Sequence, residues 1–160
     1  MASTRTAPPT PEQQTAAIAL DVISHHEAAH AVAALRLSGQ VLKIRLWQKR
    51  PNRWEGLVTM RFRDDADGNR AAATALLVGV PTELRWMHLH RINQAALPHD
   101  VWASGGPDRD EARDSLTRIP RRDRPTFREI EREAVVLVDR CWDRIEHLAA
   151  RLAASHQLQP

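Results

Sequence analysis

His25-His26-Glu27-Ala28-Ala29-His30 contains a His-Glu-x-x-His pattern, formed by His26, Glu27 and His30. On a helix, residues four apart are neighbours on one face, with Cβ atoms about 5–6 Å apart. Two imidazoles at that separation can grip one zinc ion, each through one ring nitrogen at roughly 2.0–2.1 Å. A glutamate between them reaches a water on the same metal and can take its proton. The competing reading is a pair of hydrogen-bonded core histidines. It requires three adjacent polar groups to be desolvated without an ion, which is costly. His25 points about 100° away from His26 on an ideal helix, so it is read as a flanking or supporting residue and not as a ligand.

Around the motif, Ala19, Val22, Ile23, Ala29, Ala33, Ala34 and Leu37 form one apolar helical stripe that includes both histidines. The helix is expected from about Glu12 to Leu37, with Gly39 as its stop signal. Next, Leu42, Ile44 and Leu46 alternate with Lys43 and Arg45, which predicts a half-buried strand over residues 41–47. A polar turn, Gln48 to Arg53, leads to a second alternating segment, Trp54 to Phe62, as its antiparallel partner. A strand edge beside a metal site is a place for an extended peptide to pair by its main chain. Asp64 to Asn69 reads as a loop, Arg70 to Gly79 as helix, and Thr82 to about Asn93 as another helix after a break or first-turn proline at Pro81. Pro98 to Pro107 reads as a loop and Asp108 to Leu116 as a helix, and Pro120 and Pro125 bracket a basic linker. The last helix, about Thr126 to Ala154, has a stripe at Phe127, Ile130, Ala134, Leu137, Cys141, Ile145, Leu148 and Leu152, with Trp142 packing beside it. The expected fold is mainly α, with a small antiparallel β-hairpin after the motif helix. Residues 1–11, with Pro8, Pro9 and Pro11, read as a disordered tail, and residues 12–160 as one domain.

Composition narrows the function classes. Apolar residues make up 42% and charged residues 27% of the 160, which suits an Ala/Leu-rich helical domain. No apolar run approaches the roughly 20 residues that span a bilayer. The polar, Pro-rich start lacks the apolar segment of a signal peptide. Cys141 is the only cysteine, so no internal disulfide can form, and a reducing cytoplasm is expected. The net charge is +3, with Arg118, Arg121, Arg122 and Arg124 clustered. Interleaved acids (Asp108, Asp110, Glu111, Asp114, Asp123, Glu129) make a solvated surface the preferred reading over a phosphate-binding patch.

A catalytic zinc has three protein ligands plus water. The candidates for the third are Glu83, His88, His90, His99, Asp100, Asp108 and Asp110, and spacing does not choose among them. In ordered segments the chain resembles the peptidase domain of FtsH-type ATP-dependent zinc proteases. His26-Glu27-Ala28-Ala29-His30-Ala31 is similar to that family's HEAGHA. The strand from Val41 and the glycine at Gly56 follow in its order, and Leu77-Val78-Gly79-Val80-Pro81-Thr82-Glu83-Leu84 resembles its LGGRAAEEL segment. Ser104-Gly105-Gly106-Pro107-Asp108-Arg109-Asp110-Glu111-Ala112 is similar to its GAxNDLxxA segment, where the ligand aspartate sits. Matching the aspartate-to-alanine spacing implies Asp108 as third ligand. Matching the glycines points nearer Asp110, and the direction of the following helix favours Asp108. Ala29 replaces a motif glycine, and Pro81 and Thr82 alter the middle segment.

The resemblance implies a cytoplasmic zinc metalloendopeptidase with Glu27 as general base and His26, His30 and Asp108 on one Zn2+. Glu83 is either a support for a ligand histidine or a surface carboxylate, and His88, His90 and His99 are read as surface or structural. With no nucleotide-binding signature, ATP is not expected as a cofactor. The substrates are then peptides or unfolded segments, handled by a monomer or small homo-oligomer with no membrane partner. Two other classes compete. One is a catalytically inactive protease-fold protein that binds or regulates a partner, and the other a nucleic-acid-binding helical module using the arginines. A different zinc hydrolase chemistry also fits His-Glu-x-x-His.

Overall fold

Thr10 opens the central helix, α1 (Pro11–Arg36), with a reciprocal cap. Its hydroxyl accepts from the Gln13 N–H, and the Gln13 side chain accepts from the Thr10 N–H. Pro11 at the first helical position removes an N–H that has no helical partner anyway. The structure, a computed structural model, describes Pro8 and residues 10–97 and 105–158. Most of the expected tail (residues 1–7 and 9) and the loop residues 98–104, with His99 and Asp100, lie outside the described residues.

The stop of α1 differs from expectation. Leu37 is the C-cap and Ser38 takes the left-handed conformation at φ 61°. The Gly39 N–H then reaches back to the Ala34 carbonyl at 2.8 Å, closing a Schellman-type end. Gly39 itself has negative φ and is needed for space, because a Cβ there would overlap the ring of Phe62. The single apolar stripe is also too narrow a description. Every residue from His26 to Ala34 is buried. Ala28, Ala29, Ala31, Ala33 and Ala34 are small enough for neighbours to close in on all sides.

Those neighbours are the hairpin β1 (Gln40–Arg50) and β2 (Arg53–Arg61), three shorter helices, and the long α5 (Phe127–Ser155). The hairpin is antiparallel as expected, but Leu42 does not face inward. The register shifts between Val41 and Lys43, so Leu42 bulges out and is 43% exposed. Ile44 and Leu46 are buried as expected, and Val41 takes the place of Leu42. A short strand absent from the sequence reading, β3 (Gln157–Leu158), pairs with β1 and gives the order β2-β1-β3. Two residues carry no alternation to read. Among the described residues the outer edge of β2 has no strand partner.

α2 (Ala66–Leu76) begins inside the segment expected to be loop. The Asp65 carboxylate caps it by accepting from the Gly68 N–H at 2.7 Å. α3 (Gly79–Leu89) carries Pro81 in its first turn, one of the two outcomes expected there. α4 (Gly105–Thr117) starts three residues earlier than expected. α5 is opened by a Thr126–Glu129 capping box, and it buries Ile130, Ala134, Cys141, Ile145 and Leu152 as expected, plus Val138, Trp142 and Ala149. Each large aliphatic side chain so buried contributes about 1.5–3 kcal/mol. No described helix is long and apolar enough to cross a membrane. The chain is mainly helical with a small three-stranded antiparallel sheet.

Candidate metal centre

His26 and His30 project from the buried middle of α1, 2% and 4% exposed, with ring centroids 4.6 Å apart. Asp108, in the first turn of α4, meets both. Its Oδ2 lies 3.1 Å from His26 Nε2 and 3.5 Å from His30 Nε2. The ligand atoms of the three residues fall within 4.8 Å of one another, and the group can hold a metal ion. Tetrahedral ligands at about 2.0–2.1 Å from zinc stand about 3.3 Å from each other, so these spacings fit.

The second nitrogen of each ring is fixed from outside. His26 Nδ1–H donates to Glu83 Oε1 at 2.6 Å, and His30 Nδ1–H donates to the Ala75 carbonyl at 2.7 Å. Ala75 sits in the last turn of α2, where carbonyls have no helical donor of their own. Gly79 and Glu83 share one face of α3, four residues apart. A Cβ at Gly79 would overlap the His26 imidazole, so this glycine lets α3 come close enough for Glu83 to reach the ring. Of the two readings for Glu83, the structure takes the support: it is 2% exposed and not on the surface.

Both Nε2 atoms therefore face a carboxylate oxygen while both Nδ1–H groups are already committed. A neutral imidazole would aim its lone pair at Asp108. Only a proton or a cation relieves that. Burial opposes charging His26, but the Asp108 and Glu83 carboxylates outweigh it and hold its pKa well above the usual value. Burial would likewise raise the Asp108 carboxyl, yet hydrogen bonds from His26 and His30 bring it well below the usual carboxylate range.

Glu27, 5% exposed, lies against β2, where a Cβ at Gly56 would overlap its carboxylate. Burial pushes its carboxyl pKa up, against the pull of His26 and His30. It accepts no hydrogen bond from any described residue. With His30 and Asp108 it borders an open cleft of about 670 Å³ that runs beside β2 and α4.

Other candidates fall away from this point. Asp110 is exposed and pairs with Arg113 at 2.8 Å. His88 and His90 are exposed, and His90 stacks on Trp86. His25 points to the other side, where it donates to the Asp21 carbonyl and stacks on Trp142. Arg124 reaches the carbonyls of Thr117 and Ile119, and Arg122 pairs with Asp123, so these members of the arginine cluster are engaged locally. Sequence reasoning missed Ala75 and Gly79. A backbone carbonyl leaves no residue signal, whereas Gly79 was readable as a small residue one turn before Glu83.

Glu83→Gln is expected to weaken metal affinity by about 10–100-fold, because an acceptor remains but its charge is lost. Competition against a chelator of known affinity measures this, and an unchanged affinity would remove Glu83 from the centre. In comparisons with known proteins, the chain matches no family model, no curated protein and no solved structure.

Proposed function

We propose that the chain is a zinc-dependent endopeptidase, akin to an FtsH-type peptidase domain, acting on peptides or unfolded segments. The supporting observation is the pair of imidazoles that meet an acceptor at every ring nitrogen around one buried point. An N,N,O donor set at tetrahedral spacing suits zinc with a position left for water. His26, His30 and Asp108 would hold the ion, which when bound supplies a Lewis acid that acidifies water and polarises a carbonyl.

The chain's own residues do the rest. Glu27 is the only buried carboxylate bordering the cleft that accepts no hydrogen bond from the described residues, so it is free to take a proton from water and return it to the leaving amine. Its raised pKa suits that exchange better than an ordinary carboxylate. The edge of β2 that has no strand partner among the described residues offers main-chain donors and acceptors to an extended peptide, and Gly56 sets β2 against Glu27. A strand edge bordering the cleft suits an extended chain, so the proposed substrates are peptides and flexible segments.

Purified protein should carry about one zinc by elemental analysis and cleave an unstructured quenched-fluorescent peptide. Chelation should stop cleavage and added zinc restore it. Protein that binds no zinc, or cleavage that survives chelation, would overturn the proposal.

A further inference from the structure

Among the described residues, three buried polar side chains line the cleft. His30 and Glu27 belong to the proposed reaction, and Asn69 does not. Asn69 lies in the first turn of α2 and is 7% exposed. Its Nδ2–H donates to the Asp65 carbonyl at 2.9 Å, which fixes the way round of the amide, because only the nitrogen can donate. Oδ1 accepts from no described residue. Nor is it sealed in the interior: among the described residues only Arg85 Nε is a buried side-chain polar atom without a partner. Oδ1 is therefore open, on a residue that shares the cleft-lining face of α2 with Ala72 and Leu76. Buried polar groups are nearly always paired. A fixed amide more than nine-tenths buried, with its acceptor turned to the cleft, points to a donor that arrives with a ligand. Independently, the five consecutive residues Gly56 to Met60 border the same cleft. A strand face would present alternate residues only, so the edge of β2 borders it.

We infer that Asn69 is a substrate-binding residue, whose Oδ1 accepts a main-chain N–H from an extended peptide paired along its other side with β2. The inference rests on the peptidase reading and adds a specificity determinant to it. A strand added to β2 pairs the N–H and C=O of alternate residues with that edge and turns those of the residues between them away. Each N–H so turned needs an acceptor when the cleft closes it off from water, and Asn69 answers one of them. Asn69 stands six residues before Ala75, whose carbonyl holds His30, and so about 9 Å from it along α2. An extended peptide advances about 3.3 Å per residue, which places the N–H roughly three residues from the scissile bond. The contact reads no side chain. It rejects proline at that one position, because proline has no N–H to give.

The test compares the zinc-loaded protein with its Asn69→Leu variant, which keeps the side chain's size and cannot accept a hydrogen bond. Quenched peptides of one sequence carry a single N-methyl group, placed in turn at each of the four residues on either side of the bond cut. Methylation of residues whose N–H faces β2 should cost both proteins alike. At one further position it should lower kcat/KM by about 3–10-fold for the unaltered protein and leave the variant unchanged, because the variant has already lost that bond. On the unmethylated peptide Asn69→Leu should show the same loss, as a raised KM with kcat kept. Asn69→Ala serves if the leucine variant folds poorly. Equal sensitivity of both proteins at every position refutes the Asn69 contact, and continued cleavage then leaves the peptidase standing. Binding of the same peptides to Glu27→Gln protein, with and without Asn69→Leu, read by fluorescence anisotropy, separates the two claims. A position-specific loss of binding, without hydrolysis by the unaltered protein, refutes the peptidase and keeps the contact. Absence of both binding and hydrolysis refutes both.

Discussion

Glu27→Gln should slow peptide cleavage by about 10²–10⁴-fold while zinc stays bound at its original stoichiometry. The substitution is nearly isosteric, so the side chain still fills the space under Gly56, where no Cβ fits. What it removes is the ability to accept a proton. The three residues that would hold the ion are untouched, since Asp108 Oδ2 and the two Nε2 atoms form their own cluster. Stability moves the other way. The folded-state pKa of Glu27 is raised by burial, so its ionised form costs stability at pH above the ordinary carboxylate value. A neutral amide removes that cost, and the melting temperature at pH 7 should hold or rise. A catalytic group that the fold would rather replace is the signature expected here. Single-turnover rates, elemental analysis and thermal melts on the same preparation check all three. Cleavage at full rate would refute the general-base role, and loss of zinc would make Glu27 structural.

How much of this could be read beforehand depends on how local the signal is. His26 and His30 are one turn apart on a single helix, so their proximity follows from helical geometry alone. Asp108 comes from 78 positions beyond His30, and only a resemblance and the direction of α4 pointed to it. Helical geometry then separates it from Asp110. Two residues turn a helix by about 200°, which sends Asp110 into solvent and toward Arg113. The Ala75 carbonyl was illegible because every residue has one, and its role depends on where α2 stops. Leu42 misled because alternation is a period-two argument, and one bulge residue inverts it. The motif helix misled in another way. An apolar stripe presumes one buried face, and α1 is surrounded from His26 to Ala34.

The same cluster also predicts what happens when metal is taken away. In the metal-free protein, Asp108, Glu83 and Glu27 crowd two imidazoles, and His26 is held as an imidazolium. Its folded pKa lies above the unfolded value, so its stabilisation is complete below about pH 6.5 and is lost as pH rises toward the folded pKa. Glu27, also raised, adds a loss that sets in from lower pH, above the ordinary carboxylate value. Asp108 is depressed, so its contribution is intact throughout the neutral range and fails only in strong acid. Metal-free protein should therefore melt at a lower temperature at pH 8 than at pH 6. Bound metal replaces the proton on His26, and binding releases protons, so affinity rises with pH. At free zinc a hundredfold above Kd the stabilisation is about 2.7 kcal/mol. For a domain near this size that is about 5–10 °C. At one fixed zinc concentration the zinc-induced shift should be larger at pH 8 than at pH 6, because affinity is higher there. Thermal melts across that interval, with chelator and with zinc, measure it. A shift that is absent, or that shrinks toward pH 8, would mean that the imidazoles and Asp108 do not share an ion.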